Sequence, residues 1–260
     1  APDDLARELS ISEDKAELLL PTAMIYHNIF EETDAEFMWL SGITICDGMA
    51  ADFAECKEHI VPAHPFSDDI ISVSRKLAER FCCDTEHIHQ VEIAALKLFD
   101  ALRKANHLTK KDRLLLQIAA ILHNCGSFLN LNDIGENSYK IVTSTEIIGL
   151  SHQERMIVAY VIRYTTGDFP EYSEIKNEFS REEYIKIAKL NAILCLADAM
   201  DRSHQQKFTN FTVRKRGYDL TITGQTLYDI TLEHGMFIQK SPFFEEAFGI
   251  RPVLRQKKCL

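Results

Sequence analysis

Three side chains in this sequence are of the kinds that hold metal ions, and each falls within a helix-like apolar segment. His89 stands near the start of one segment and His123, followed by Asn124, at the C-terminal end of another. Asp198 lies on a third, inside "CLADAMDRSH". Neutral imidazoles and carboxylates carried by neighbouring helices are the usual way to build a metal site in a bundle core. A carboxylate in so apolar a helix is costly unless it is paired, hydrogen-bonded or bound to a metal. Plainer roles exist for each residue: a histidine near a helix end can be a cap or a satisfied core residue, and Asp198 could hydrogen-bond a neighbouring helix N-terminus. The order is what favours metal chemistry: a His, then His-Asn closing a buried helix, then an Asp in "LAD".

A second set is basic. Arg163, Arg202, His204 and Lys207 fall near the ends of the same helices. Arg can grip phosphate with paired hydrogen bonds and Lys as a point charge. Basic residues at a helix end also complement the helix dipole without binding anything. Arg214, Lys215 and Arg216 read as charges that guard a hairpin edge against aggregation. The common nucleotide and acyl-transfer signatures are absent: there is no G-x-x-x-x-G-K-[ST] loop, no G-x-G-x-x-G and no G-x-S-x-G.

The elements needed to position these residues separate into three regions. Residues 1–59 read as helix, strand, helix, with Pro21 expected to kink or divide the first helix. "EFMWLSGITI" reads as a buried strand, and Asp47 as the N-cap of the helix that follows. One strand cannot make a domain, so this piece resembles the edge of a sheet. Residues 60–207 are helical throughout. Ile88, Val91, Ala95, Phe99 and Leu102 form one apolar stripe. Thr109 with Asp112, Ser151 with Glu154, and Ser180 with Glu183 open three further helices as capping boxes. "LLLQIAAILHN" is apolar on nearly all sides and predicts the central buried helix. From 208 to 260 the period changes to two: "FTVRKRGYDLTITG" predicts two strands joined at Gly217, and "LYDITLEHG" a third. "SPFFEEAFG" predicts a short helix ended by Gly249, and "IRPVLRQ" an edge strand. The fold class expected is mainly α: a helical bundle with a fragmentary α/β piece before it and a small α+β appendix after it.

At 260 residues and 46% hydrophobic the chain can bury a sizeable core. No apolar stretch approaches the length needed to cross a bilayer, and the N-terminus has no basic-then-apolar leader. The first residue is not Met, which predicts either Met removal or a part of a longer chain. Seven cysteines without a C-x-x-C pair suit reduced thiols and a cytoplasmic location. A net charge of -10 argues against coating DNA.

The helical region resembles the HD-domain phosphohydrolases, named for a His-Asp pair. More closely, nearly the whole chain resembles the C-terminal part of the exopolyphosphatase/guanosine-pentaphosphate phosphatase (Ppx/GppA) family. The strings that carry this are "IHQVEIAALKLFDAL", "DRLLLQIAAILHNCGSFLN", "SYKIV", "GLSHQERMIVAYVIRY" and above all "LADAMDRSH". The resemblance implies that 1–59 is the terminal portion of an actin-like ATPase-fold phosphatase domain and 60–207 an HD-like domain. It also implies that the family's phosphate-binding loops and catalytic acid lie upstream. The departures are informative. Asn124 stands where HD hydrolases carry the bridging Asp, and Asn137 and Thr165 stand where family members commonly carry His. His89, His123 and Asp198 are then a vestigial or weak ligand set. The expectation is no metal, or at most one weakly held divalent ion. The function expected is an accessory region of a phosphatase whose parent removes terminal phosphates from polyphosphate or guanosine pentaphosphate. Its partners would be a second copy of the chain and polyphosphate or a phosphorylated nucleotide, with neither DNA nor a membrane. The alternative is an HD-type metal-dependent phosphohydrolase.

Overall fold

The computed structural model describes residues 2–9, 11–33, 36–38, 42, 44–57, 66–103, 107–208 and 210–257. They form two units, Ala1–Ala63 and His64–Leu260. The described residues of the first hold three helices, α1 (Pro2–Leu9), α2 (Glu13–Glu32) and α3 (Ile45–Cys56). Pro21 lies inside α2 without dividing it. The centre of the expected strand, residues 39–41 and 43, lies outside the described residues, and the N-cap expectation needs correction. The described residues of the "EFMWLSGITI" segment are not strand, and Glu36, Phe37 and Met38 are exposed. Asp47 is not the N-cap of α3. Its Oδ2 accepts from the Thr44 amide and hydroxyl, while the Asp47 amide donates to Thr44 Oγ1, so Thr44 is the cap and Asp47 the third-residue partner.

The second unit begins with α4 (Phe66–Arg80), α5 (Thr85–Leu102) and α6 (Lys110–Leu122). A short 3-10 turn, Cys125–Phe128, follows, and then α7 (Ile134–Ser144), α8 (His152–Arg163), α9 (Tyr172–Ile175) and α10 (Arg181–Ala199). The three capping boxes expected at Thr109, Ser151 and Ser180 are all formed. Helix α6 is the central one: Leu116, Ile118, Ala119, Ala120, Ile121 and Leu122 are wholly buried, and the helix packs on α4, α5, α8 and α10. Helix α10 is likewise buried nearly all round from Ile187 to Ala199, as an element in the middle of a bundle must be.

After α10 come β1 (Asn210–Arg216), β2 (Asp219–Gln225), α11 (Thr231–Phe248) and β3 (Arg251–Lys257). Strands β1 and β2 are antiparallel around Gly217, whose φ of +56° suits the turn, and β3 pairs parallel to β2. The third strand expected at "LYDITLEHG" is a turn followed by the start of α11. Asp229 Oδ1 accepts from the Thr231 amide and hydroxyl at the start of that helix, whose N-cap is Ile230. The short helix expected at "SPFFEEAFG" is only the second half of α11, which ends as expected at Gly249 (φ +63°). Running the helix early buries Phe237 and Phe244 and sets α11 against α10. The sheet shares the helical core: Phe208, Phe211, Leu220, Ile222 and Leu254 join it.

Gly224 on β2 shows how tight this junction is. A Cβ there would come within 2.1 Å of the wholly buried Phe208 ring. Gly224→Ala is expected to lower unfolding stability by about 1–3 kcal/mol, the usual cost of overpacking. Urea denaturation measures this directly, and an unchanged midpoint would mean that Phe208 can move aside.

Candidate functional site

The site sits where the start of α5, the end of α6 and the end of α10 meet. Asp84 caps α5, its side chain accepting from the His87 amide, and so fixes the first turn of the helix. His87, the third residue of α5, points into the protein with 1% exposure of its side chain. Its Nδ1 lies 2.9 Å from Asp201 Oδ2. Its Nε2 lies 3.3 Å from both Asp198 Oδ1 and His123 Nε2. His123 caps the C-terminus of α6. Its Nδ1 sits 2.8 Å from the Ala120 carbonyl and its Nε2 3.6 Å from Asp198 Oδ1.

These contacts fix the proton positions. A carbonyl only accepts, so His123 Nδ1 carries hydrogen and the lone pair of the neutral ring is on Nε2. The Asp201 carboxylate likewise draws hydrogen to His87 Nδ1. Two Nε2 atoms and a carboxylate oxygen therefore converge, an arrangement that calls for a proton or a cation at its centre. Burial works against charge on His87, but the Asp198 and Asp201 carboxylates outweigh it, and its pKa is pushed up to about 9. Burial also opposes the charge on Asp198, yet the adjoining His123 and His87 rings hold its pKa well below the usual carboxylate range.

The surround is built to keep this arrangement. Asp201 Oδ1 accepts from the Gln206 amide at 2.7 Å and Oδ2 from the Gln206 side chain at 3.2 Å. The His204 ring stacks on His87 with centroids 3.6 Å apart and planes within 5°, and its Nδ1 lies 3.0 Å from Asp84 Oδ2. Behind the loop, Glu233 of α11 is fully buried. It accepts from the Ser203 amide and hydroxyl and pairs with Lys207 at 3.1 Å. Ser138 of α7 donates to the His123 carbonyl and accepts from the Gly126 amide, which fixes the turn after His123.

The donor set suits one metal ion. An ion about 2.0–2.1 Å from each of four tetrahedral donors places those donors about 3.3–3.4 Å apart. The three atoms here are separated by 3.3, 3.3 and 3.6 Å. The Asp201–His87 contact is the carboxylate–imidazole support that metal-binding histidines usually have. Among the described residues, His87, His123 and Asp198 form the one group of three or more potential ligands.

The structure brings two of the three expected residues together. His89 is exposed, and His87 takes the place expected for it. A readable signal existed. His87, Val91, Ala94 and Leu98 recur at four- and three-residue steps and are all buried, whereas His89 falls on the opposite side of α5. Asn124 is half-buried directly after His123. Asn137 donates from Nδ2 to the Asn132 carbonyl, and the buried Thr165 donates from its hydroxyl to the Ile162 carbonyl. The basic residues divide. Arg202 lies 3.7 Å from Asp198 Oδ2 and is 44% exposed, and His204 is over the site. Arg163 is bonded to Glu136 at 2.7 Å and lies against Tyr139, Tyr160 and Tyr164, and Lys207 is held on Glu233. Asp84 and Asp201 were not foreseen in the site.

With this geometry established, comparison with known families is decisive. Residues 71–239, well over half of the chain, match the family Ppx/GppA phosphatase, domain III. The chain belongs to the Ppx/GppA phosphatase family. No curated protein matches it. The matched span contains every residue of the His87–His123–Asp198 centre and its surround, while the first unit lies outside it. No described helix of this Ppx/GppA chain is long and apolar enough to cross a membrane.

The raised pKa of His87 has a measurable consequence. A group whose pKa is higher folded than unfolded contributes stability fully below its ordinary value, here 6.5, and loses it as pH rises through about 9. In the presence of a chelator, unfolding free energy is expected to fall across that interval by on the order of 2 kcal/mol. The slope should vanish in His87→Gln. Urea denaturation over the pH range tests this, and a flat wild-type profile would show that the ring is neutral.

Proposed function

We propose that this chain is an accessory region of a Ppx/GppA-type phosphatase, contributing polyanion binding and dimerisation, and that it does not carry the phosphoryl-transfer chemistry alone. The observation that carries this reading is the composition of the centre. One carboxylate oxygen and two imidazole nitrogens converge, and Asn124 supplies no charge beside them. Two divalent ions held close together need bridging carboxylates. This donor set fits one ion or one proton. Hydrolysis of a terminal phosphate further needs a positioned water, an acid or base, and donors around the reacting group.

His87, His123 and Asp198 would hold a single divalent ion. Bound there, it would supply Lewis-acid polarisation of a phosphate oxygen. The chain's own residues do the remaining work. Asp201 and the Ala120 carbonyl orient the two rings, and His204 covers one face of His87. Arg202 offers a half-exposed guanidinium for paired hydrogen bonds to phosphate. Arg163 and Lys207 are already committed to Glu136 and Glu233, so Arg202 and His204 are the polyanion contacts in this reading. Dimerisation is supported by the exposed Leu18, Ile25 and Ile29, which share one face of α2, an apolar surface of the kind that associates. The first unit is then the terminal portion of a phosphatase domain, in a protein that works in the cytoplasm on polyphosphate or a phosphorylated nucleotide.

The donor spacing favours a second reading, a mononuclear HD-type phosphohydrolase, and one set of measurements separates the two. The accessory reading expects at most one equivalent of Zn or Mn after dialysis and no phosphate released from polyphosphate. It also expects salt-sensitive polyphosphate binding that weakens about tenfold in Arg202→Ala, as loss of one charge-assisted contact would. Phosphate release that disappears in His123→Ala would establish the hydrolase reading instead.

A further inference from the structure

Two buried thiols lie beside the site and take no part in it. Cys83 ends the connection between α4 and α5, immediately before the cap residue Asp84. Cys125 opens the 3-10 turn two residues after His123. They come from positions 42 apart in sequence, yet their sulfurs are 3.4 Å apart, and both are free thiols. A disulfide needs about 2.05 Å between sulfurs, so closure requires about 1.4 Å of movement.

The two thiols sit in turns of different kinds. A Cβ on Gly126, next to Cys125, would come within 2.2 Å of the Ile134 carbonyl oxygen, and the Gly126 amide is bonded to Ser138. Cys83 instead follows a turn in which Cys82 is exposed with φ +50°, a conformation that side chains other than glycine adopt at some cost. The amides of Phe81, Cys82 and Cys83 are bonded to the last turn of α4, so the approach of the sulfurs takes small shifts in both turns.

From this geometry we propose that Cys83 and Cys125 are a redox pair, closed to a reversible disulfide by a small peroxide. Cys83 as thiolate attacks a peroxide oxygen. The O–O bond breaks, one water leaves and a sulfenic acid remains. The Cys125 sulfur then attacks the Cys83 sulfur. The S–O bond breaks, and the hydroxyl leaves as a second water with the Cys125 proton. Two thiols lose two electrons in all, one peroxide gains them, and a dithiol reverses the change. The bond ties the cap of α5 to the end of α6, the two segments that carry His87 and His123. It is independent of whether the site holds a metal or a phosphate.

The test uses the full chain treated with hydrogen peroxide, alkylated, digested and analysed by mass spectrometry. The expected product links the peptide containing Cys82 and Cys83 to the one containing Cys125. The link should survive Cys82→Ser and be absent in Cys83→Ala and in Cys125→Ala. The oxidised protein should melt on the order of 5–10 °C higher than the reduced one, as expected for a bridge closing a long loop, and dithiothreitol should reverse the shift. The proposal is overturned if the native protein forms no such link, if the link persists in Cys83→Ala, or if forming it lowers the melting temperature.

Discussion

Two carboxylates, Asp198 and Asp201, stand at the end of a helix buried nearly all round, and an unpaired charge there would cost several kcal/mol. The architecture around them can be understood as the means of compensating that charge. His87 lies between the two and takes a hydrogen bond to each. For His87 to reach them, α5 must begin at Asp84 and turn its third residue inward. His123 must close α6 at the same point, and the loop after α10 must fold back so that Gln206 reaches Asp201. That loop is held from behind by Glu233.

The other buried acids follow the same rule with simpler partners. Glu92 accepts from Arg75 Nη2 through both of its oxygens and from the Gln117 side-chain amide through one. Asp112 serves the Thr109 cap and pairs with Lys186 at 3.0 Å. In each case a cation or a full set of donors meets the carboxylate, and the partner comes from a different helix. These pairs specify which helices adjoin, a role for which apolar contacts alone are less selective. The centre at His87 differs in one respect: its compensating charge is a removable proton, not a fixed guanidinium or ammonium.

The bundle was legible in the sequence because its signals are local. Capping boxes at Thr109, Ser151 and Ser180 and the apolar run of α6 each need only a few neighbouring residues. What was missed depends on distant partners. The segment at "LYDITLEHG" alternates like a strand, but Asp229 binds Thr231 at the start of a helix there and Glu233 is drawn to Ser203, 30 residues away in sequence. His89 and His87 differ by two positions, and only the register against Val91 and Leu98 decides which faces inward. His123 and Asp198 were found because they close or occupy segments with no exposed face. Asp201 was missed because its role lies in supporting another residue's ring.

Asn124 stands where the resemblance to HD hydrolases implies a bridging carboxylate, and counting charges shows what that exchange would change. A carboxylate at that position would join Asp198 and Asp201 to give three negative charges, enough to hold a pair of divalent ions with a bridging ligand. With Asn124 the count is two, which one divalent ion would neutralise. A proton on His87 together with the nearby Arg202 neutralises the same two charges with no metal present. The folded chain therefore has two ways of satisfying the same carboxylates, and they compete, because an ion bound by His87 Nε2 must displace the proton that burial between Asp198 and Asp201 retains. A ring pushed up to about 9 holds that proton at neutral pH. The contact that stabilises the bundle is thus also the one that limits how tightly a metal can bind there.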